Sequence, residues 1–200
     1  MIPLKDENPT KLFPFFTIAL IIVNCIIFII EFLQGERLST FVKSFGCIPY
    51  EVMMNVDLEP VIFFPVRLTI ITSMFLHGGF AHLIGNMLYL WIFGNNIEDR
   101  LGHLRFIIFY VLAGLLASLA QILINPLSTI PQIGASGAIS GILGAYLLLY
   151  PKAKILTLIP FVIIRIIRLP AFVVLGIWIL LQVINGFASL SYTAQGGVAF

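Results

Sequence analysis

The feature that most constrains this chain is a short apolar run from Ser136 to Tyr150, opened by Gly134-Ala135-Ser136-Gly137-Ala138. As a helix its 15 residues reach only about 22 Å, against about 30 Å for the hydrocarbon core of a bilayer. If Tyr150-Pro151-Lys152 marks one membrane surface, Ser136 lies well inside, at the start of a truncated helix. Helix N-termini leave backbone N–H groups unpaired and favour negative charge. A hydroxyl placed there has the setting of a nucleophile beside an oxyanion site. The plainer reading of Ser136, Gly137, Ser140, Gly141, Gly144 and Ala145 is a small-residue face for close helix packing.

The surrounding composition predicts a membrane. Of the 200 residues 60% are hydrophobic and only 10% charged, with a mean hydropathy of +1.09, so the chain reads as one polytopic domain over residues 1–200. A formal charge of +2 is too small to suggest a nucleic-acid partner. Cys25 sits within an apolar run and Cys47 in a loop, which supports neither a disulfide framework nor a metal site. His77 and His82 lack the accompanying Glu of a helical zinc site. No phosphate loop or dinucleotide fingerprint is present, so no cofactor is expected.

Taken in order, Met1 to Lys11 is a polar lead and Pro14 opens a first span at about Phe15 to Leu33, with Glu31 within reach of the interface. That stretch is too long for the core of a signal peptide. Gln34 to Arg67 mixes charges with Phe, Val, Ile and Met and is expected to lie in or on the membrane surface. A second span is predicted at Phe80 to Asn96 and a third at Leu104 to Ile124, with Gly114, Ala117 and Ser118 as a packing stripe. The uncharged connection Asn125 to Ile133 would dip into the protein to deliver Ser136 to the fourth, short helix. Pro151 to Leu169 has an interfacial pattern. A fifth span follows at Pro170 to Ala188, and Gly196-Gly197-Val198-Ala199-Phe200 reads as the start of a sixth.

Orientation follows from the basic residues in the connections. Lys5, Lys11, Arg100, Arg105, Lys152, Lys154, Arg165 and Arg168 fall on one side, and Arg37, Lys43 and Arg67 on the other. The N-terminus is therefore expected in the cytoplasm. Cys47 and the entry to Ser136 would face outside.

His82 and Asn86 share a face of the second span at i and i+4. Intramembrane His and Asn are costly unless paired, so they mark either a functional site or an interhelical hydrogen bond. Beside a serine at a helix start, both suit stabilisation of an oxyanion.

The series from His77-Gly78-Gly79-Phe80-Ala81-His82 through Asn86, then Glu98-Asp99-Arg100-Leu101-Gly102, then Gly134-Ala135-Ser136-Gly137, resembles the rhomboid intramembrane serine proteases. The resemblance runs over nearly the whole chain. It implies an all-α, six-helix bundle using a Ser–His dyad without metal, so this chain would hold five transmembrane helices and the beginning of a sixth. By the same resemblance Ser136 would be the nucleophile, and His82, Asn86 and the Ser136 N–H the oxyanion site. Gly134, Gly137, Gly141 and His77 would shape the site, with Glu98 and Arg100 holding a structural turn. The aromatic–Arg pair common in the first loop of rhomboids has only Val66-Arg67 as its nearest match. The family's catalytic histidine follows a Gly-Gly-Val-Ala-aromatic run in the sixth span, the run in which this sequence stops at Phe200. None of His77, His82 and His103 matches it, so the chain as it stands is expected to lack its general base and to be inactive.

The implied function is endoproteolysis of transmembrane protein substrates near the external face of the bilayer, in the inner membrane of a prokaryote. The alternative is a non-catalytic relative that binds transmembrane clients. Such proteins usually lose the nucleophile that Ser136 supplies here.

Overall fold

The computed structural model describes residues 1–59, 64–160 and 164–193. Apolar periodicity dominates, and the result is a helical bundle. Strand β1 (Ile2–Asp6) leads into α1 (Phe15–Phe32). The first loop winds into short pieces, α2 (Leu38–Phe45), α3 (Pro49–Met54) and α4 (Thr69–Thr72). Long helices α5 (Phe80–Leu101) and α6 (His103–Ile124) follow, then α7 (Ser136–Leu149). Strands β2 (Lys154–Pro160) and β3 (Ile164–Pro170) form a hairpin before α8 (Ala171–Thr193).

The expected count of five spans is met in part. Among the described residues α1 and α6 are long and apolar enough to cross a membrane. Val66–Phe75 with Phe80–Leu101, bent by 78° at its break, makes a third if taken as one span. Helix α7 is too short for that test, and Gly196 to Phe200 lie outside the described residues.

The bundle packs around α7. Ala138, Ile139, Ile142, Leu143 and Tyr146 of α7 are buried against Phe93 of α5 and Phe106 and Tyr110 of α6. The Phe93 and Tyr146 rings meet edge to face at 4.8 Å. Small residues bring α6 and α7 together, whereas in sequence the small face of α7 suggests the sixth span as its neighbour. A methyl group built on Gly137 would stand 2.7 Å from the Ala117 Cβ, and one on Gly141 2.5 Å from the Ala113 Cβ. Among the described residues nothing lies within 4 Å of a methyl group built on Gly144.

The ends of α1 and α5 are joined by charge. The first N–H groups of a helix have no partner inside it. At α1 those of Phe16 and Thr17 donate to the Glu98 carboxylate at 2.9 and 2.8 Å. Thr17 Oγ1 adds a third bond at 2.7 Å and His103 Nδ1 a fourth at 2.6 Å. Asp99 accepts from the N–H groups of Lys11 and Leu12. Glu98 thus holds a structural junction, as expected of it. Arg100 is exposed and, among the described residues, makes no ion pair. Gly102, at φ +77°, turns the chain from α5 directly into α6.

The strands are an addition to the expected all-helical frame. Antiparallel order β1-β2-β3 joins the polar lead to the stretch read as merely interfacial. Ile155 pairs with Asp6 on one side and Leu169 on the other. Asp6 faces inward, where its carboxylate accepts from Asn96 Nδ2 at 2.7 Å and Tyr146 Oη at 3.0 Å.

Candidate active site

Ser136 is the first residue of α7, as its flanking glycines predict. The connection before it is tied down by backbone hydrogen bonds, beginning with Tyr50 N–H to Ser128 O at 3.0 Å. Cys47 and Gln132 exchange backbone hydrogen bonds of 3.1 and 2.8 Å, and the Gly134 N–H donates to Ser73 O at 2.9 Å. The Asn125 to Ile133 connection is therefore tied to the first loop and to the segment before α5.

Gly134 brings the site together. Its φ of +124° is a conformation in which a side chain is strained. A Cβ built there would lie 2.8 Å from both Cε1 and Nε2 of His82, and 3.7 Å from Ser136 Oγ. The leading edge of the imidazole and the serine hydroxyl thus converge on one glycine. Gly78 N–H donates to His82 Nδ1 at 3.4 Å. With Nδ1 accepting, a neutral ring carries its proton on Nε2, the nitrogen that faces Gly134.

Asn86 lies one turn further along α5 and is buried. Among the described residues its Nδ2 is a buried donor with no partner, which is rare for a native side chain and points to an unspent hydrogen bond. His77 is buried, its Nδ1 3.2 Å from Phe75 O, and its ring meets that of His82 edge to face at 5.1 Å. It ties the turn before α5.

A cavity of about 300 Å³ opens beside Ser136, lined in part by Ser118, Gln121, Asn125, Ser128 and Gln132. Its polar lining, inside an apolar bundle, holds a buried and unpartnered amide donor, Gln132 Nε2. Sequence reasoning passed over Gln132, which looks like any loop residue until the Cys47 bridge turns it inward.

Glu98 and Arg100 stand 16 residues or more beyond His82 on the same helix, about 24 Å away, so the turn they belong to is remote from it. Gly137 lines the cavity beside Ser136, and both Gly137 and Gly141 pack against α6. Cys47 and Glu31 are turned inward. Cys47 lies in the loop, but its side chain is fully buried, and burial pushes its thiol up to about 11. Glu31 is turned into the protein. It is only 1% exposed, with both carboxylate oxygens near the His77 N–H at 3.0 and 3.3 Å. A lone carboxylate in the last turn of an apolar helix was the available signal.

The rhomboid domain model matches residues 66–199. Rhomboid protein 1, mitochondrial, of Saccharomyces cerevisiae is 39% identical over 94 residues, 45% of this chain and 27% of that protein. Rhomboid protease GluP of Bacillus subtilis is 44% identical over 78 residues, 39% of this chain and 15% of that protein. RHOMBOID-like protein 1 of Arabidopsis thaliana is 28% identical over 163 residues, 71% of this chain and 41% of its own length. The chain spans less than half the length of these relatives.

Proposed function

We propose, from the premise that this chain belongs to the rhomboid family, that it carries the nucleophile and oxyanion site of an intramembrane serine endopeptidase. The observation that carries this reading is the convergence of the Ser136 hydroxyl and the His82 Nε2 edge on Gly134.

In the proposed reaction Ser136 Oγ attacks the scissile carbonyl of a transmembrane substrate. The carbonyl oxygen becomes an oxyanion, and three donors serve it: His82 Nε2–H, Asn86 Nδ2–H and the Ser136 backbone N–H at the start of α7. The unspent Asn86 amide supports its share. Preorganised donors of this kind are each worth about 100- to 1,000-fold in rate. Ser136 also needs a general base, because a serine hydroxyl is a weak nucleophile at its free pKa. His82 offers Nδ1 to Gly78 and its proton to the site, while His103 sits at the far end of α5 against Glu98. The base is a further histidine, which the resemblance puts in the sixth span.

The same reading makes α1, α5, α6, α7 and α8 five spans of a six-span bundle with a cytoplasmic N-terminus. The entry to Ser136 faces outside, in the inner membrane of a prokaryote. The cavity beside Ser136 supports access for a substrate backbone unwound from its own helix. A client-binding protein without catalysis would have no use for a serine held in this setting.

The test is covalent labelling of the full-length protein by a fluorophosphonate. Labelling of Ser136, lost in Ser136→Ala, is the expected result. Folded protein that resists labelling, and leaves a generic transmembrane substrate uncut, would remove the proposal.

A further inference from the structure

We propose that Glu31 is a positioning residue for His82, acting through the turn that precedes α5. The inference rests on the reading of His82 as an oxyanion donor and adds what holds that donor in its working form.

A carboxylate 1% exposed in the last turn of an apolar helix is costly. A leucine would fill the same space between Phe28 and Phe32, whose rings pack on Phe80 with centroids 5.0 and 5.5 Å away. Among the described residues no cation pairs with Glu31. What the carboxylate does is accept the His77 N–H.

The next N–H along the chain is that of Gly78, and it donates to His82 Nδ1. Two successive amides of one turn are therefore committed, the first to Glu31 and the second to His82. Glu31 aims the turn, and the turn decides which ring nitrogen of His82 accepts. A free neutral imidazole exchanges between two tautomers, and one of them would present a bare Nε2 to Gly134 and Ser136. Such a ring repels an oxyanion instead of donating to it. The 3.4 Å Gly78–His82 bond is long, so a small shift of the turn breaks it. His77 cannot substitute, because its own Nδ1 faces Phe75 O and its Nε2 has no partner.

The experiment is nitrogen NMR of intact, histidine-labelled protein in detergent, with His82 assigned through His82→Gln. The wild type should show His82 protonated on Nε2, and Glu31→Gln, which keeps an acceptor, should match it. In Glu31→Leu the tautomer ratio should move toward Nδ1–H by about fivefold, the weight of one hydrogen bond, while cooperative melting persists. A purely structural Glu31 would lower the melting temperature and leave the ratio unchanged, which overturns the proposal. If Glu31→Leu does not fold, Glu31→Asn decides, since one methylene fewer withdraws the acceptor and keeps a polar group. Fluorophosphonate labelling in the same wild-type sample separates the two readings. Its absence defeats the proposed protease, whereas the tautomer response bears on Glu31 alone.

Discussion

Gly134 meets three demands at once: a φ of +124°, an N–H given to Ser73, and contact distance to the His82 ring. No other residue satisfies them together. Gly134→Ala should cost about 1–3 kcal/mol from backbone strain alone. Its methyl would also push the His82 edge away from Ser136. The labelling rate of Ser136 should fall by about 100-fold, the worth of a lost oxyanion donor, in protein that still melts cooperatively. Labelling at the wild-type rate would show that His82 takes no part. Glu98 illustrates the opposite kind of residue. It accepts four hydrogen bonds at the opposite end of α5 from His82, and its work is to join two helices.

At the scale of elements, the α6–α7 contact distinguishes glycines that look alike in sequence. Gly141→Ala should cost about 1–3 kcal/mol by overpacking against Ala113. Gly144→Ala, with nothing within 4 Å, should gain up to about 1 kcal/mol of helix propensity. Thermal unfolding in one detergent compares them, and a loss at Gly144 would mean that another helix covers that face. The sheet carries a pH dependence. Burial holds the Asp6 carboxyl above its ordinary value, with hydrogen bonds from Tyr146 and Asn96 offsetting part of the rise. Between about pH 4 and the raised folded value, the folded state keeps a proton that the unfolded chain has lost, so stability falls as pH rises through that window. Asp6→Asn should flatten this slope in melting temperatures taken from pH 4 to 7. An unchanged slope would acquit Asp6.

Helices were the legible part of the sequence, because long apolar runs bounded by Pro14, Gly79 and Gly102 leave little choice. The start of α7 was legible to the residue for the same reason. The sheet was not. Ile155 to Ile159 and Ile164 to Leu169 are rich in β-branched residues and could have been read as strands, but the further partner of the first, Ile2 to Asp6, is short and some 150 residues away. The convergence at Gly134 was legible only as motif. The tie from Glu31 to His77 was hidden, since nothing local shows which N–H a distant carboxylate will meet.

For the whole molecule, the basic-residue bias predicts which ends lie in the cytoplasm. Cys47 is a poor reporter because it is buried. Single cysteines at exposed Glu36 and Lys152 are better, in a Cys25→Ala, Cys47→Ala background. A membrane-impermeant maleimide on intact cells should modify Glu36→Cys at once, and Lys152→Cys only after permeabilisation. The reverse pattern would invert the proposed orientation.

Strands β1 and β2 add a condition of parity. They are hydrogen-bonded neighbours, and an open sheet edge is not tolerated in lipid, so the proposed multi-span reading must put residues 2–6 and 154–160 on the same side of the bilayer. A path that leaves one side and returns to it makes an even number of crossings. Whatever each helix between residues 7 and 153 does singly, an odd total is forbidden. Counting α1, α5, α6 and α7 as one crossing each satisfies the rule, and dropping any one of them, the short α7 included, violates it. On the same reading helix α8, which begins directly after β3, departs from the side that holds β1.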